Sequence, residues 1–525
     1  MVNKTDVLDE GTSRTKGTDA LTSNIEAAKM ISSIVKTTLG PMGMDKMLID
    51  NMGDTIVTND GVKILKEMDI EHPGAKMLVE VARTQENEVG DGTTTAVILS
   101  GELLSNAKDL IDKKIHPTIV IRGFKMASVK ALKIIADNAV EVDIKSKDVI
   151  LQVCETAMTG KVAEYSKSKL SELLYDTFNM VGYNGNFSKE SIKVHKVVGG
   201  DVNDSFLMEG IVLDRDVANP NMPNFKKDAK ILLIDFPLEV RELDANTNIA
   251  INSPEEYNNF LLSEHNYLKS IAYKIKDLGI DFVACQKGID DNVAYYLAKE
   301  GIIATRRTRN SDMKKLSLAL RVPILSTIDD IDSVGFGCAD ISVKNILDEK
   351  YVFIENVKNS RVATLVLKAS TKQVIDEIER AIDDAIGDVL AIFSSKKIVA
   401  GGGAIEVEVY KELLKYAKTF EGKEQMIITA FAQAFLSIPK TLCENCGFDE
   451  IETIAKMISN HEKGLKFCGL DGFTGVVDNT ISNKIIEPVN IKNQALKSAS
   501  EIVSMILRID DVIAAKKISK DSINI

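Results

Sequence analysis

Tryptophan is absent from this 525-residue chain, and aromatic residues make up only 5% of it. That leaves no evident platform for stacking nucleic-acid bases. Positive charge is in deficit: 65 Lys and Arg face 77 Asp and Glu, for a net charge of −12 and a pI near 5.2. Such a balance argues against a nucleic-acid surface as the main function. The opening residues are polar and mixed in charge, unlike a signal peptide. No run approaches the roughly 20 apolar residues that span a bilayer, so the expectation is a cytoplasmic protein with no membrane partner. The six cysteines (Cys154, Cys285, Cys338, Cys443, Cys446, Cys468) are scattered and give no disulfide framework. Cys443 and Cys446 form a lone C-x-x-C with no second pair and no clustered histidines, so packing on a helix is a better reading than a metal site.

Apolar content is 45% and charged content 27%, as in ordinary globular proteins. The length suggests about three domains. Helical periodicity runs from Ile25 to Thr38, and Gly40-Pro41 stops it. A strand pair is expected at Lys46–Ile49 and Asp54–Thr58 around an Asn51-Met52-Gly53 turn. Helices are expected at Ala75–Asn87, Thr93–Asp112, Thr118–Asn138 and Lys167–Met180, and a strand at Ile192–Val198. Short apolar runs at Lys230–Ile234, Asp281–Cys285, Gly301–Ala304 and Val322–Leu325 alternate with helical segments, which predicts a small parallel α/β core. An insert near Glu239–Leu278 carries Tyr257, Phe260, Leu261, Leu268, Ile271, Ala272 and Ile275 at helical spacing. Its second half reads as core, whereas Tyr257–Tyr267 is open between core and an exposed binding face. Beyond residue 365 the chain turns helical again, with Gly401-Gly402-Gly403 and a turn-rich Gly464–Pro488 region as interruptions. The order is helical, mixed, α/β, mixed, helical, as if the two ends form one domain and the middle is inserted into it.

Gly90-Asp91-Gly92-Thr93-Thr94-Thr95 is the most informative stretch. Two glycines free the backbone, and three threonines open an amphipathic helix. A helix N-terminus carries unpaired N–H donors and partial positive charge, which suits phosphate. Asp91 stands beside it with a carboxylate suited to Mg²⁺. The competing reading is a helix cap, since Thr or Asp after Gly is a common N-cap pattern. Similar glycine-bearing turns occur at Thr37–Pro41, Asp60-Gly61 and Gly401–Gly403, and none is a Walker-type loop. Hydrolysis further needs a group that orients or activates water. Asp60 and Asp384 are candidates, and periodicity alone does not separate Asp384 from Asp383 or Asp388 on the acidic face of one helix.

Several motifs together resemble the signature set of the group II chaperonins, the archaeal thermosome and its eukaryotic cytosolic relatives. They are Thr37–Leu48 (TTLGPMGMDKML), Val57–Gly61 (VTNDG), Gly90–Thr95 (GDGTTT), Glu379–Ala385 (ERAIDDA), Gly401–Glu406 (GGGAIE) and Thr441–Asp449 (TLCENCGFD), in the family's order across nearly the whole chain. Glu10–Arg14 and Val283–Asp291 fit as well. The resemblance implies a multidomain α+β fold. Residues 1–144 and 400–525 would be an equatorial ATP-binding domain, 145–213 and 364–399 an intermediate hinge domain, and 214–363 an α/β apical domain with a helical lid protrusion near 239–278.

It further implies an ATP-dependent chaperone with ATP and Mg²⁺ as cofactors and unfolded proteins as clients. Its partners would be copies of itself or paralogous subunits in a double ring (eight or nine per ring). Thr38, Leu39, Gly40, Pro41, Gly61 and Gly92 to Thr95 would surround the phosphates, and Asp91 would hold Mg²⁺. Asp60 would help position water and Asp384 would activate it. Lys161 would sense the γ-phosphate, and Gly402 and Glu487 would sit near the adenosine. Two departures stand out: Cys443 and Cys446 replace small residues, and Lys368-Ala369-Ser370 replaces Arg-Gly-Gly, which implies a stiffer hinge.

Overall fold

The structure, a computed structural model, describes residues 13–49, 53, 55–182, 189–240, 253–327, 335–346, 349–357 and 362–514. The chain divides into two compact units, residues 1–171 with 376–525, and residues 172–375. The first part of the expected Glu10–Arg14 motif, residues 51 and 52 of the hairpin turn and residues 241–252 of the insert lie outside the described residues.

The first unit is built on helices. Gly17–Lys36, Pro73–Val89, Thr93–Asp112, Pro117–Asp137, Lys423–Phe435 and Val489–Ile506 share one apolar core. Thr93–Asp112 buries Ala96, Val97, Leu99, Leu103, Leu104, Ala107 and Leu110, a stripe at helical spacing. Each large side chain so buried is worth about 1.5–3 kcal/mol against exposure. Two helices begin at Pro73 and Pro117, where proline's missing N–H costs nothing, and the preceding His72 and His116 side chains accept the first free amides. Strands from opposite ends of the chain, Ser13–Lys16 and Asp511–Ala514, pair antiparallel, and Arg14 bridges to Asp511. The predicted hairpin forms between Lys46–Ile49 and Thr55–Thr58.

One segment was overlooked by the hydropathy reading. Lys423–Cys446 is long and apolar enough to cross a membrane. Its helix is interrupted at Leu436, and most of it is buried against neighbouring helices, as expected of a core element.

The second unit centres on an eight-stranded sheet. Its order is Ile192–Val198, Ala363–Ala369, Phe206–Leu213, Glu349–Glu355, Gly337–Ile346, Phe225–Ile234, Phe282–Cys285, Ile303–Thr305. Only part is parallel: Phe225–Ile234 with Phe282–Cys285 and Ile303–Thr305, and Ile192–Val198 with Ala363–Ala369. The expected parallel core is thus the end of a larger mixed sheet. Val322–Leu325 is not a strand but contributes a single bridge, Leu325 to Ile234, because Pro323 has no N–H to extend a ladder. The insert folds as the helix Pro254–Asp277. Leu268, Ile271, Ala272 and Ile275 are buried, whereas Tyr257, Leu261, Leu262 and Tyr267 are exposed.

Candidate functional site

Every candidate residue from the sequence lines one cleft of about 470 Å³ in the first unit, a size suited to a small-molecule ligand. The Gly90–Thr95 stretch forms its floor. Gly90 ends one helix at φ 85° and Gly92 begins the next at φ 78°. No side chain caps the Thr93–Asp112 helix. The side-chain capping alternative is therefore not realised, and the helix start, Gly92 to Thr95, lines the cleft. Gly92 is required sterically as well as conformationally, since a Cβ there would lie 2.5 Å from Ile491 Cγ2. Gly92→Ala places an L-residue in the left-handed region at about 1–2 kcal/mol and forces that clash. A lower midpoint is expected in a thermal melt.

The other motifs are fastened around this floor. Asn59 Nδ2 donates to the Gly160 carbonyl at 2.8 Å. Gly160, at φ 77°, packs so tightly that a Cβ would sit 2.6 Å from the Gly40 carbonyl oxygen. Asn445, from the Thr441–Asp449 motif, donates to the carbonyls of Lys36 and Leu39 at 3.0 and 2.8 Å, which holds the Leu39-Gly40-Pro41 turn. On the far side, the Leu470 amide donates to the Gly402 carbonyl at 2.8 Å and the Gly401 amide to the Ile485 carbonyl at 3.0 Å. Gln85 Nε2 donates to the Asp91 carbonyl at 2.8 Å and to that of Ile491 at 3.2 Å, fixing the acidic turn to the last long helix.

Asp60 caps the Gly61–Glu67 helix, accepting from the amides of Val62 and Lys63 at 3.0 and 3.3 Å. Burial lifts its carboxyl above the ordinary range despite those hydrogen bonds. Asp384, on the helix Lys372–Ser395, pairs with Lys161. Burial pushes the Asp384 carboxyl up to about 8; Lys161 opposes the shift while Asp91 and Asp60 add to it. Lys161 moves upward because Asp384 and Asp91 outweigh its own burial. The surroundings thus hold three carboxylates, Asp60, Asp91 and Asp384, around one lysine.

Position along the helix now separates the acids that periodicity left open. Asp384 and Asp388 line the cleft, one turn apart, while Asp383 does not. Lys492 was not anticipated. It lies buried between Glu406 Oε1 at 2.9 Å and Glu487 Oε2 at 2.7 Å. A lysine on the apolar stripe of an amphipathic helix, flanked by Ile491 and Ala495, is the signal that would have found it. Burial with Glu406 nearby lifts Glu487 despite Lys492. Asn59, Lys167, Asp471 and Phe473 also line the cleft without having been singled out. Cys443 lies in a separate apolar cluster with Val407, Met457 and Leu470, and burial lifts its thiol to about 11, the environment of an inert packing residue.

A model of the TCP-1/cpn60 chaperonin family matches residues 31–517. The chain is 45% identical to a thermosome subunit of Methanopyrus kandleri, over 98% of this chain and 95% of that one. It is 46% identical to the thermosome subunit beta of Methanothermobacter thermautotrophicus, over 97% and 94% of the two chains. A thermosome subunit of Pyrococcus horikoshii is 46% identical over 98% and 95%. With these motifs and this mixed multidomain fold, the chain belongs to the TCP-1/cpn60 chaperonin family, as a group II chaperonin subunit of the thermosome type.

Proposed function

We propose that the cleft binds and hydrolyses Mg-ATP, and that hydrolysis drives the folding work of this group II chaperonin. The observation that carries this is the convergence of Asp60, Asp91, Asp384 and the uncapped Thr93 helix start on one cavity. Thr38 to Pro41, Gly61 and Gly92 to Thr95 would cradle the phosphates, and Gly402 and Glu487 would flank the adenosine. Asp91 would hold Mg²⁺, which supplies charge neutralisation for the phosphate oxygens. Asp60, tethered by two amides, is suited to orient water rather than to take its proton. Asp384 is suited to take the proton, since its carboxyl lies near neutral pH. Lys161 holds Asp384 in the nucleotide-free arrangement. Phosphate oxygens offer that lysine a competing partner, so nucleotide arrival would free the base.

The three-part reading of the chain is retained as a proposal. Residues 1–144 with 400–525 would bind ATP, 145–213 with 364–399 would act as hinge, and 214–363 would meet clients. The relatives' alpha and beta subunit names support assembly with itself or paralogues, here proposed as a double ring in the cytoplasm. Exposed Tyr257, Leu261, Leu262 and Tyr267 put apolar surface on the Pro254–Asp277 helix that would suit unfolded clients. The test is refolding of a denatured client with and without Mg-ATP, beside electron micrographs of the purified particle. Higher yield with Mg-ATP and a double ring are expected. Equal yields would favour a holdase that binds clients without productive cycling.

A further inference from the structure

Asp388 is a deeply buried acid of the cleft that no element of the proposed reaction uses. It lies one turn beyond Asp384 and is 3% exposed. Its Oδ1 has no hydrogen-bond partner among the described residues. The helix is held close to the acidic turn at this level: a Cβ on Gly90 would stand 2.9 Å from Gly387 Cα. That contact brings the turn carrying Asp388 against the turn carrying Asp91, and both residues line the cleft. A buried carboxylate left without a hydrogen bond and facing like charge is destabilising unless a cation or proton joins it.

Of the four lysines that line the cleft, Lys161 is paired with Asp384, Lys492 with Glu406 and Glu487, and Lys167 with Glu164, and none of the four is paired with Asp388 among the described residues. Seven carboxylates against four lysines line the cavity among the described residues. A nucleoside triphosphate adds further negative charge, more than one divalent ion offsets. We infer that Asp388 holds a second hard divalent cation, with Asp91 as the carboxylate shared between the two metal positions. No group of three side chains able to hold a metal by itself occurs among the described residues. The shell must therefore be completed by phosphate oxygens and water, the usual arrangement for Mg²⁺, and the second ion binds only with nucleotide. Two ions sharing a phosphate clamp the attacking and leaving oxygens of a displacement.

This inference rests on the nucleotide reading of the cleft, and its test separates the two. Protein with one equivalent of a non-hydrolysable ATP analogue is titrated with Mn²⁺, and free Mn²⁺ is followed by electron paramagnetic resonance. About two Mn²⁺ per chain are expected for the unaltered protein and one for Asp388→Asn. A single Mn²⁺ in the unaltered protein, or two in Asp388→Asn, overturns the inference and leaves the nucleotide site standing. No nucleotide-dependent uptake in the unaltered protein overturns the site itself. Asp388→Leu guards against a folding artefact: it removes the unpaired charge, so without nucleotide it is expected to melt no lower than the unaltered protein, yet to take up only one Mn²⁺. Two Mn²⁺ in this variant would equally overturn the inference.

Discussion

Asp384→Ala is expected to lower ATP turnover by about 10²–10⁴-fold, the usual worth of a positioned general base, while ATP still binds. The proposed phosphate seat would consist of backbone amides and threonines of the Thr93–Asp112 helix start, none of which depends on Asp384. Turnover is read from phosphate release and binding from retention of labelled nucleotide. Asp384→Asn sharpens the test: it keeps the shape and an acceptor for Lys161 but cannot take a proton, so it should fall as far. The pH profile adds a direction. Burial holds the Asp384 carboxyl at about 8 in the nucleotide-free chain. A base works only when ionised, so kcat/KM, which reports the free enzyme, should climb as pH rises toward that value and flatten above it. Asp384→Asn should lack that limb. Full turnover in either variant would remove Asp384 from the mechanism, and loss of binding would place it in the seat instead.

What the sequence disclosed divides along physical lines. Helices with a one-sided apolar stripe and a clear start were legible nearly to the residue, as at Thr93–Asp112, because the same periodicity that builds the core is written locally. Strand partners were not. Gly337–Ile346 pairs with Phe225–Ile234 and Glu349–Glu355 with Phe206–Leu213, segments far apart in sequence, and nothing in a local alternation names the neighbour. The parallel core was consequently drawn too small, and Val322–Leu325 was given a strand that Pro323 forbids. At the site, the residues proposed from types and motifs all line one cavity. Buried polar chemistry was invisible by contrast. Asp388 looks like an ordinary surface charge in a helical wheel, and only the Gly90–Gly387 contact shows otherwise, while Lys492 falls on an apolar stripe but its partners Glu406 and Glu487 are not written beside it.

The same blindness hid a second charged cluster, and removing its central acid should unfold the unit that contains it most easily. Glu408 is 1% exposed and accepts from Lys411 Nζ at 2.9 and 2.8 Å and from His461 Nδ1 at 2.7 Å. His461 Nε2 faces the Cys468 carbonyl at 2.8 Å. Both ring nitrogens thus meet oxygen atoms. Glu408→Ala would take the buried partner from the Lys411 ammonium, which keeps only Glu412 at 3.5 Å and the His461 carbonyl at 3.0 Å, and from His461 Nδ1, at about 3 kcal/mol, read as a lower midpoint of chemical unfolding. Replacing Glu408, Lys411 and His461 together by apolar residues of similar volume should recover most of that loss, because breaking a buried ion pair costs far more than omitting it. The acid limb follows from the same carboxylate. Burial would raise Glu408, but hydrogen bonds from His461 and Lys411 prevail and hold it below the ordinary value. Its folded pKa is therefore below its unfolded one. The stabilisation is complete above the unfolded value and fades as pH falls through the folded one. Glu408→Gln should lose that part of the acid dependence while remaining less stable at neutral pH. If the single alanine variant proves no less stable than the triple apolar one, the three side chains are not energetically interlocked.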